Sequence, residues 1–112
     1  GIGGKVGQQV GDTLRNVAAS HQVFAITHLP QIASRAHRHI LVTKGARGGV
    51  TTADVRLLSD EDRVPEIARM LGGHAAGAAS RAHAAELLSV SADSRSGARS
   101  DRERSEAGRR RR

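Results

Sequence analysis

An unbroken apolar run, Val23 to Ile26, places the strongest constraint on the fold of this chain. Thr27 and His28 follow it, and Pro30 then ends the run because proline cannot donate to a β-sheet ladder. A short apolar run bounded by polar residues predicts a strand buried on both faces, as in a parallel sheet. Ligands of open α/β sheets bind at the carboxyl ends of such strands, so Thr27 and His28 become candidate site residues.

Helical spacing precedes this run and predicts a helix from Lys5 to about Ser20. Its predicted buried face is made of Val6, Val10, Leu14, Val17 and Ala18. A second stripe on the same helix consists of Gly3, Gly7 and Gly11, spaced four residues apart. This stripe either permits close packing against a neighbouring element or only reflects the high glycine content of the chain, and the pattern favours neither explanation.

Two further strands are predicted after a short helix over residues 29–36. Residues 38–44 and 50–58 are rich in β-branched and aliphatic side chains, and the glycine-rich stretch 45–49 separates them. Two strands joined by such a turn predict an antiparallel hairpin. His37 and His39 would then project from one face of the first of these strands.

Two helices are predicted after the hairpin. Ser59 and the acids that follow it are typical of a helix start, although Pro65 predicts that the regular helix begins only near Val64. Gly72 and Gly73 would end this helix. An alanine-rich helix is predicted over residues 77–88, with a buried face of Ala78, Ala82, Ala85 and Leu88.

Composition separates the last residues from the rest of the chain. Residues 91–112 contain eight arginines and four acids and so carry +4 of the net charge of +7. They have almost nothing to bury, so we predict a disordered, Arg-rich tail over residues 90–112. The absence of cysteine excludes disulfides and thiolate metal sites, and no apolar run approaches the length of a membrane span.

The sequence does not match the simple motifs for binding a phosphate, a dinucleotide or a metal ion. The start of the chain, Gly1 to Lys5, has the Gly-Lys pair of a phosphate-binding loop but lacks the hydroxyl residue that should follow it. The dinucleotide pattern G-x-G-x-x-G fails because Val6 occupies its last position. His21, His37 and His39 have no fourth ligand at a recognisable spacing, so we interpret them as surface histidines and predict no metal site.

Longer strings resemble a known family. They are Gly1–Gly4, Ile26–Ala33, Arg63–Val64 and Glu66–Gly73. They resemble the C-terminal end of the RecN family of bacterial DNA repair ATPases, which are related to the SMC proteins and have an ABC-type head. The resemblance covers about residues 1–89, and Pro65 departs from the family pattern. It implies an α/β fold, the C-terminal part of a P-loop ABC-type head, with a parallel strand–helix unit, a β-hairpin and two C-terminal helices.

The resemblance also implies roles for particular residues. Gly1, Ile2 and Gly3 would belong to the D-loop, and Thr27 and His28 to the H-loop, so that all five would lie at the nucleotide. His28 would be the catalytic switch histidine that contacts the γ-phosphate of ATP. The P-loop, signature motif, coiled coil and Walker B acids, with most ligands of ATP and Mg²⁺, would lie upstream. The segment alone is therefore expected to be inactive.

The implied biology is recombinational repair of double-strand breaks. The expected partners are DNA and a second copy of the protein, joined through ATP-engaged heads, with no membrane and a cytoplasmic, nucleoid-associated location. A different class of function remains as the alternative. It is a small basic nucleic-acid-binding module without catalysis, in which the Arg-rich tail supplies affinity and His28 is structural.

Overall fold

Helices and one β-hairpin make up the part of the chain that the structure, a computed structural model, describes: residues 3–73 and 77–110, without the side chains of 93–103. The elements in chain order are α1 (Gly4–Val17), α2 (Pro30–Ala33), β1 (Ile40–Arg47), β2 (Val50–Leu57), α3 (Asp60–Gly72) and α4 (Ala78–Arg110). Gly1 and Ile2 lie outside the described residues. The predicted mixture of helices and strands, with a hairpin and two C-terminal helices, is confirmed in outline.

The core lies where α2, α3 and α4 meet. Its buried members are Ala33, Ile67, Ala68, Ala84 and Leu87. Ile67 is completely buried, and three of the other four buried members are alanine. Because alanine contributes little apolar area, the helices approach closely but bury a core of modest size.

The hairpin was predicted correctly, and a two-residue turn closes it. β1 pairs antiparallel with β2 in a register that runs from Ile40 opposite Leu57 to Arg47 opposite Val50. Gly48 and Gly49 form the turn with φ angles of 58° and 76°, a conformation that glycine adopts without steric penalty. Since β1 begins at Ile40, His37 and His39 lie in the loop before the strand, not on one of its faces.

The predicted parallel strand over residues 23–27 does not form, and this prediction was wrong for the chain as described. The segment is irregular, the Phe24 side chain is 79% exposed and Ile26 is fully exposed. A strand is defined by hydrogen bonds to a neighbouring strand, and the only sheet in the described residues is the hairpin β1–β2. The apolar run is present, but no described segment pairs with it.

Helix α1 forms as predicted but buries a different face. Gly7 and Gly11 are its buried residues, whereas Val6, Val10 and Val17 are substantially exposed. A Cβ atom added to Gly7 would lie 3.2 Å from the Cβ of Gln31, so α2 approaches the helix backbone itself. Close packing is therefore the correct interpretation of the glycine stripe at these two positions.

Helix α3 begins earlier than Pro65 suggested. Ser59 is the N-cap, and its hydroxyl accepts a hydrogen bond of 3.2 Å from the amide of Asp62. Pro65 lies within the helix, where it removes the amide that would bond to the carbonyl of exposed Glu61. The cap and the first-turn acids stabilise the helix start, and a carbonyl that faces solvent can be hydrated. Gly73 ends the helix with φ 68°, as predicted.

Helix α4 differs most from the sequence prediction. It continues to Arg110, so residues 90–110 are helical where disorder was predicted. Alanine, arginine and glutamate, which are good helix formers, occupy eleven of the 21 positions from 90 to 110 and favour a helix where there is little to bury. Its buried residues also differ from those predicted, because Ala84, Leu87 and Ser91 face the interior and Ala85 does not. The division of the chain at residue 89 into part of one domain, residues 1–89, and an Arg-rich tail, residues 90–112, remains a prediction.

Candidate functional site

His28 occupies a tight bend between the exposed apolar segment and α2. Its side chain is exposed, while Pro30, two residues later, is buried at the first position of α2. The Thr27 hydroxyl accepts a hydrogen bond of 3.0 Å from the amide of Leu29, which fixes the backbone on both sides of His28. The imidazole therefore faces solvent from a constrained backbone, and the hydroxyl of Thr27 is engaged in holding that backbone.

Gly3 is the N-cap residue of α1. It has an extended conformation, φ −63° and ψ 159°, it is exposed, and no side chain caps the helix start. The first amides of a helix lack intrahelical partners and lie at the positive end of its dipole, an arrangement suited to an anion. Gly1 and Ile2, the other two residues predicted to lie in the glycine turn, are outside the described residues.

Gln31 connects these two parts of the candidate site. Its side-chain nitrogen lies 3.7 Å from the position that a Cβ on Gly4 would occupy, and its Cβ lies against Gly7. Consecutive Cα atoms are about 3.8 Å apart, so the Cα of His28 lies within roughly 11 Å of that of Gln31. The structure thus brings the first turns of α1 close to the segment that carries His28.

The C-terminal end of α2 is held by side chains from three other helices. The carbonyl groups that accept these hydrogen bonds belong to Ala33, Ser34, Arg35 and Ala36. Arg63 of α3 donates to the first and last of them, at 3.2 and 3.0 Å. Arg15 of α1 donates to the third at 2.5 Å, and Ser91 of α4 to the second at 2.7 Å. We refer to Arg15, Arg63 and Ser91 as the carbonyl clamp.

Arg35 is a buried cation, like Arg63, and lies beside the clamp. Its Nε is 2.9 Å from a carboxylate oxygen of Asp12, an ion pair whose geometry is not that of a hydrogen bond. Its Nη1 also lies 3.4 Å from the Ser91 hydroxyl. Sequence reasoning assigned no site role to Arg15, Arg35, Arg63 or Ser91, although Arg63 belongs to one of the strings that resemble the family. Arginines within otherwise apolar helical patterns were the available signal, but only the tertiary structure shows which carbonyl groups they reach.

His39 has the most strongly altered environment among the described histidines. Burial and the positive charge of Arg63 lower the pKa of His39 below its usual value of 6.5, although the Glu66 carboxylate acts in the opposite direction. Glu66 is itself paired with Arg69, with contacts of 3.0 and 2.6 Å, and this pairing raises the pKa of Arg69. His39 is therefore a neutral, partly buried imidazole near pH 7, whereas His28 faces solvent.

The surface near α3 contains an open depression of about 460 Å³. Its lining includes His37, Arg38, Asp60 and Arg63 but none of the residues predicted to form the site. In the part of the chain that the structure describes, no three histidine, aspartate or glutamate side chains are grouped as metal ligands. No helix within residues 3–73 and 77–110 is long and apolar enough to cross a membrane.

Comparison with known proteins finds RecN sequences. The chain is 47% identical over 88 residues to the DNA repair protein RecN of Streptomyces coelicolor, 48% identical over 88 residues to that of Deinococcus radiodurans, and 40% identical over 90 residues to that of Halalkalibacterium halodurans. These matches cover 79–80% of this chain but only 15–16% of each relative. No family model matches the chain. The similarity confirms the resemblance that the sequence strings indicated.

Proposed function

We propose that this chain, a segment of the RecN family, supplies a glycine turn and a switch histidine to the ATP site of a DNA repair ATPase. The chain spans about 15% of the length of the relatives it matches, so the rest of that site would come from other parts of an intact protein. The observation that carries the proposal is the contact of Gln31 with Gly4 and Gly7. Through it, the start of α1 and the segment bearing His28 form one unit.

The chemistry of these residues suits a phosphate group. An exposed imidazole can donate a hydrogen bond to a phosphate oxygen, and the uncapped amides of α1 can do the same. Placed at a γ-phosphate, His28 would stabilise developing charge and help to orient the attacking water. Gly3, Thr27 and His28 include no carboxylate, so the ligands of Mg²⁺ are assigned to other parts of the intact protein.

The exposed segment over residues 23–26 supports the same proposal. Phe24 and Ile26 are among the most apolar side chains of the chain, yet they are exposed to solvent. Leaving such side chains in water forgoes roughly 1.5–3 kcal/mol each, so a surface this apolar is expected to have a partner. A parallel sheet contributed by the rest of an ATPase head would bury this segment and place His28 at the carboxyl edge of that sheet.

In the intact protein, ATP binding would join two heads, and hydrolysis would separate them during double-strand break repair. DNA and a second copy of the protein are therefore the proposed partners. The alternative, a basic nucleic-acid-binding module without catalysis, would depend on the Arg-rich C-terminal residues instead of His28. The two functions place the important residues at opposite ends of the chain, so mutations can separate them.

The decisive experiment is the substitution His28→Ala in a full-length RecN that contains this sequence. We expect ATP turnover to fall by about 100-fold, as when a charge-stabilising donor is removed from a phosphoryl-transfer site, with an unchanged unfolding temperature. His83→Ala is the matched control, because His83 is an exposed histidine on α4. Turnover that is equal in the two variants would rule out the switch role of His28.

A further inference from the structure

The carbonyl clamp gathers side chains from three helices onto one short segment. Arg15, Arg63 and Ser91 are far apart in sequence, yet all three donate to carbonyl groups within residues 33–36. Carbonyls at the end of a helix lack intrahelical partners, and a single capping residue or water commonly satisfies them. Three separate donors fix the position of this helix end relative to α1, α3 and α4 simultaneously.

The composition of the clamp is also informative. Arg63 is 3% exposed and Ser91 is 1% exposed, so both place polar groups in the interior. Burying a guanidinium is unfavourable unless it is hydrogen-bonded, and an apolar side chain of similar volume often gives equal or greater stability. Stability alone therefore does not require an arginine here. An arginine does, however, supply two donors from one rigid group to two carbonyls.

A short and rigid path connects the clamp to His28. Helix α2 has four residues and begins with Pro30, whose ring restricts its φ angle. Before it, the hydrogen bond between the Thr27 hydroxyl and the Leu29 amide fixes the bend that carries His28. No flexible linker separates the clamped carbonyls from the histidine, so a displacement at one end of this path moves the other.

We propose that Arg15, Arg63 and Ser91 are positioning residues for His28, acting through α2. The inference rests on the proposed role of His28 and adds to it the groups that determine where the imidazole points. None of the three needs to touch the nucleotide. They hold the segment within the fraction of an ångström that phosphoryl transfer requires, since displacements of about 1 Å can reduce turnover by roughly 100-fold.

The test uses Ser91→Ala and Arg63→Lys in a full-length RecN that contains this sequence. Each variant removes or reorients donors and keeps the remaining packing close to native. We expect kcat for ATP hydrolysis to fall by about tenfold while KM for ATP changes by less than about twofold, because misplacing a catalytic group affects the transition state more than ground-state binding. Arg69→Met is the matched control, since Arg69 lies on the same helix but pairs with Glu66.

Repeating the substitutions in the His28→Ala background shows whether they act through the histidine. If they do, Ser91→Ala and Arg63→Lys cause no further loss of turnover once the imidazole is absent. Additive losses in the double variants, or a kcat like that of Arg69→Met in the single variants, would overturn the inference. If Arg63→Lys proves unstable, Ser91→Ala decides the question alone. A normal turnover in His28→Ala itself would instead identify a failure of the proposed function.

Discussion

At the scale of single residues, the glycines of α1 form the buried face that the valines of this helix were predicted to form. The predicted apolar face is largely solvent-exposed, and the contact with α2 is made at Gly7 and Gly11. Helical periodicity identified both the apolar stripe and the glycine stripe. It could not show which of them is buried, because the two are equally regular in sequence. Where two helix backbones lie close together there is no room for a Cβ atom, so glycine is required. Which positions lie at such a contact is known only from the position of the neighbouring helix.

Gly7→Ala and Gly11→Ala form a matched pair that tests this contact. A Cβ on Gly11 would lie 2.8 Å from the Cγ of Arg35 and 3.1 Å from the backbone oxygen of Gln31, so the neighbouring backbone would have to move. We expect Gly11→Ala to lower the free energy of unfolding by about 1–3 kcal/mol in chemical denaturation. At Gly7 the closest atom is the Cβ of Gln31 at 3.2 Å, so a smaller displacement is needed, and the better helix propensity of alanine, about 1 kcal/mol, offsets the strain. Equal stability of the two variants would contradict this account.

At the scale of elements, α4 combines a packed half and an exposed half in one helix. Ala84, Leu87 and Ser91 pack against the rest of the molecule, whereas residues 104–110 are exposed. Alanine favours a helix at every position and does not mark one face as apolar. The alanine-rich pattern therefore predicted the helix but not which side of it is buried. Ser91, whose hydroxyl donates to the Ser34 carbonyl, shows that the packed half extends two residues beyond the boundary predicted at residue 89.

Deleting residues 94–112 tests the division of α4. In a full-length RecN that contains this sequence, the truncation keeps Ser91 and removes the Arg-rich part. We therefore expect ATP turnover to be unchanged and the free energy of unfolding to change by less than about 0.5 kcal/mol. A truncation that begins at residue 91 is the comparison, and it should reduce turnover because the clamp loses a donor. The first truncation also tests the alternative function. Loss of most DNA affinity, with a flatter salt dependence, would support the basic binding module instead.

At the scale of the whole molecule, many large apolar side chains of the described residues are exposed to solvent. The exposed large apolar side chains include Val6, Val10, Phe24, Ile26, Val42, Val55 and Leu57. The molecule is also elongated, 67 Å in its longest dimension, with a radius of gyration of 17.3 Å against about 13 Å expected for a compact chain of this length. Large exposed apolar patches mark surfaces that bind a partner, and the proposed head would supply that partner.

The substitution Phe24→Ser tests whether the contribution of this side chain to stability depends on the rest of a full-length protein. In the 112-residue chain the Phe24 side chain is 79% exposed, so we expect the substitution to leave the free energy of unfolding unchanged within about 0.5 kcal/mol. In a full-length RecN that contains this sequence, the same side chain would be buried in the proposed sheet. There the loss should reach about 3–5 kcal/mol, seen as a lower denaturation midpoint. Equal effects in the two contexts would contradict the proposed sheet.

Sequence alone determined the features that depend on local chemistry. Glycines with positive φ specified the hairpin turn, Ser59 and its acids specified the start of α3, and Gly73 specified its end. The strings around His28 identified the family, which the comparisons confirmed. Each of these signals is carried by a few neighbouring residues whose preferences do not depend on distant packing.

Tertiary structure decided the features that depend on partners far along the chain. It selected the glycine face of α1, placed Arg15, Arg63 and Ser91 on the carbonyls of α2, and left residues 23–27 without a strand. The last outcome has the simplest physical reason. A helix forms its backbone hydrogen bonds within itself, but a strand forms them with a neighbour, so an apolar run becomes a strand only where another strand lies beside it.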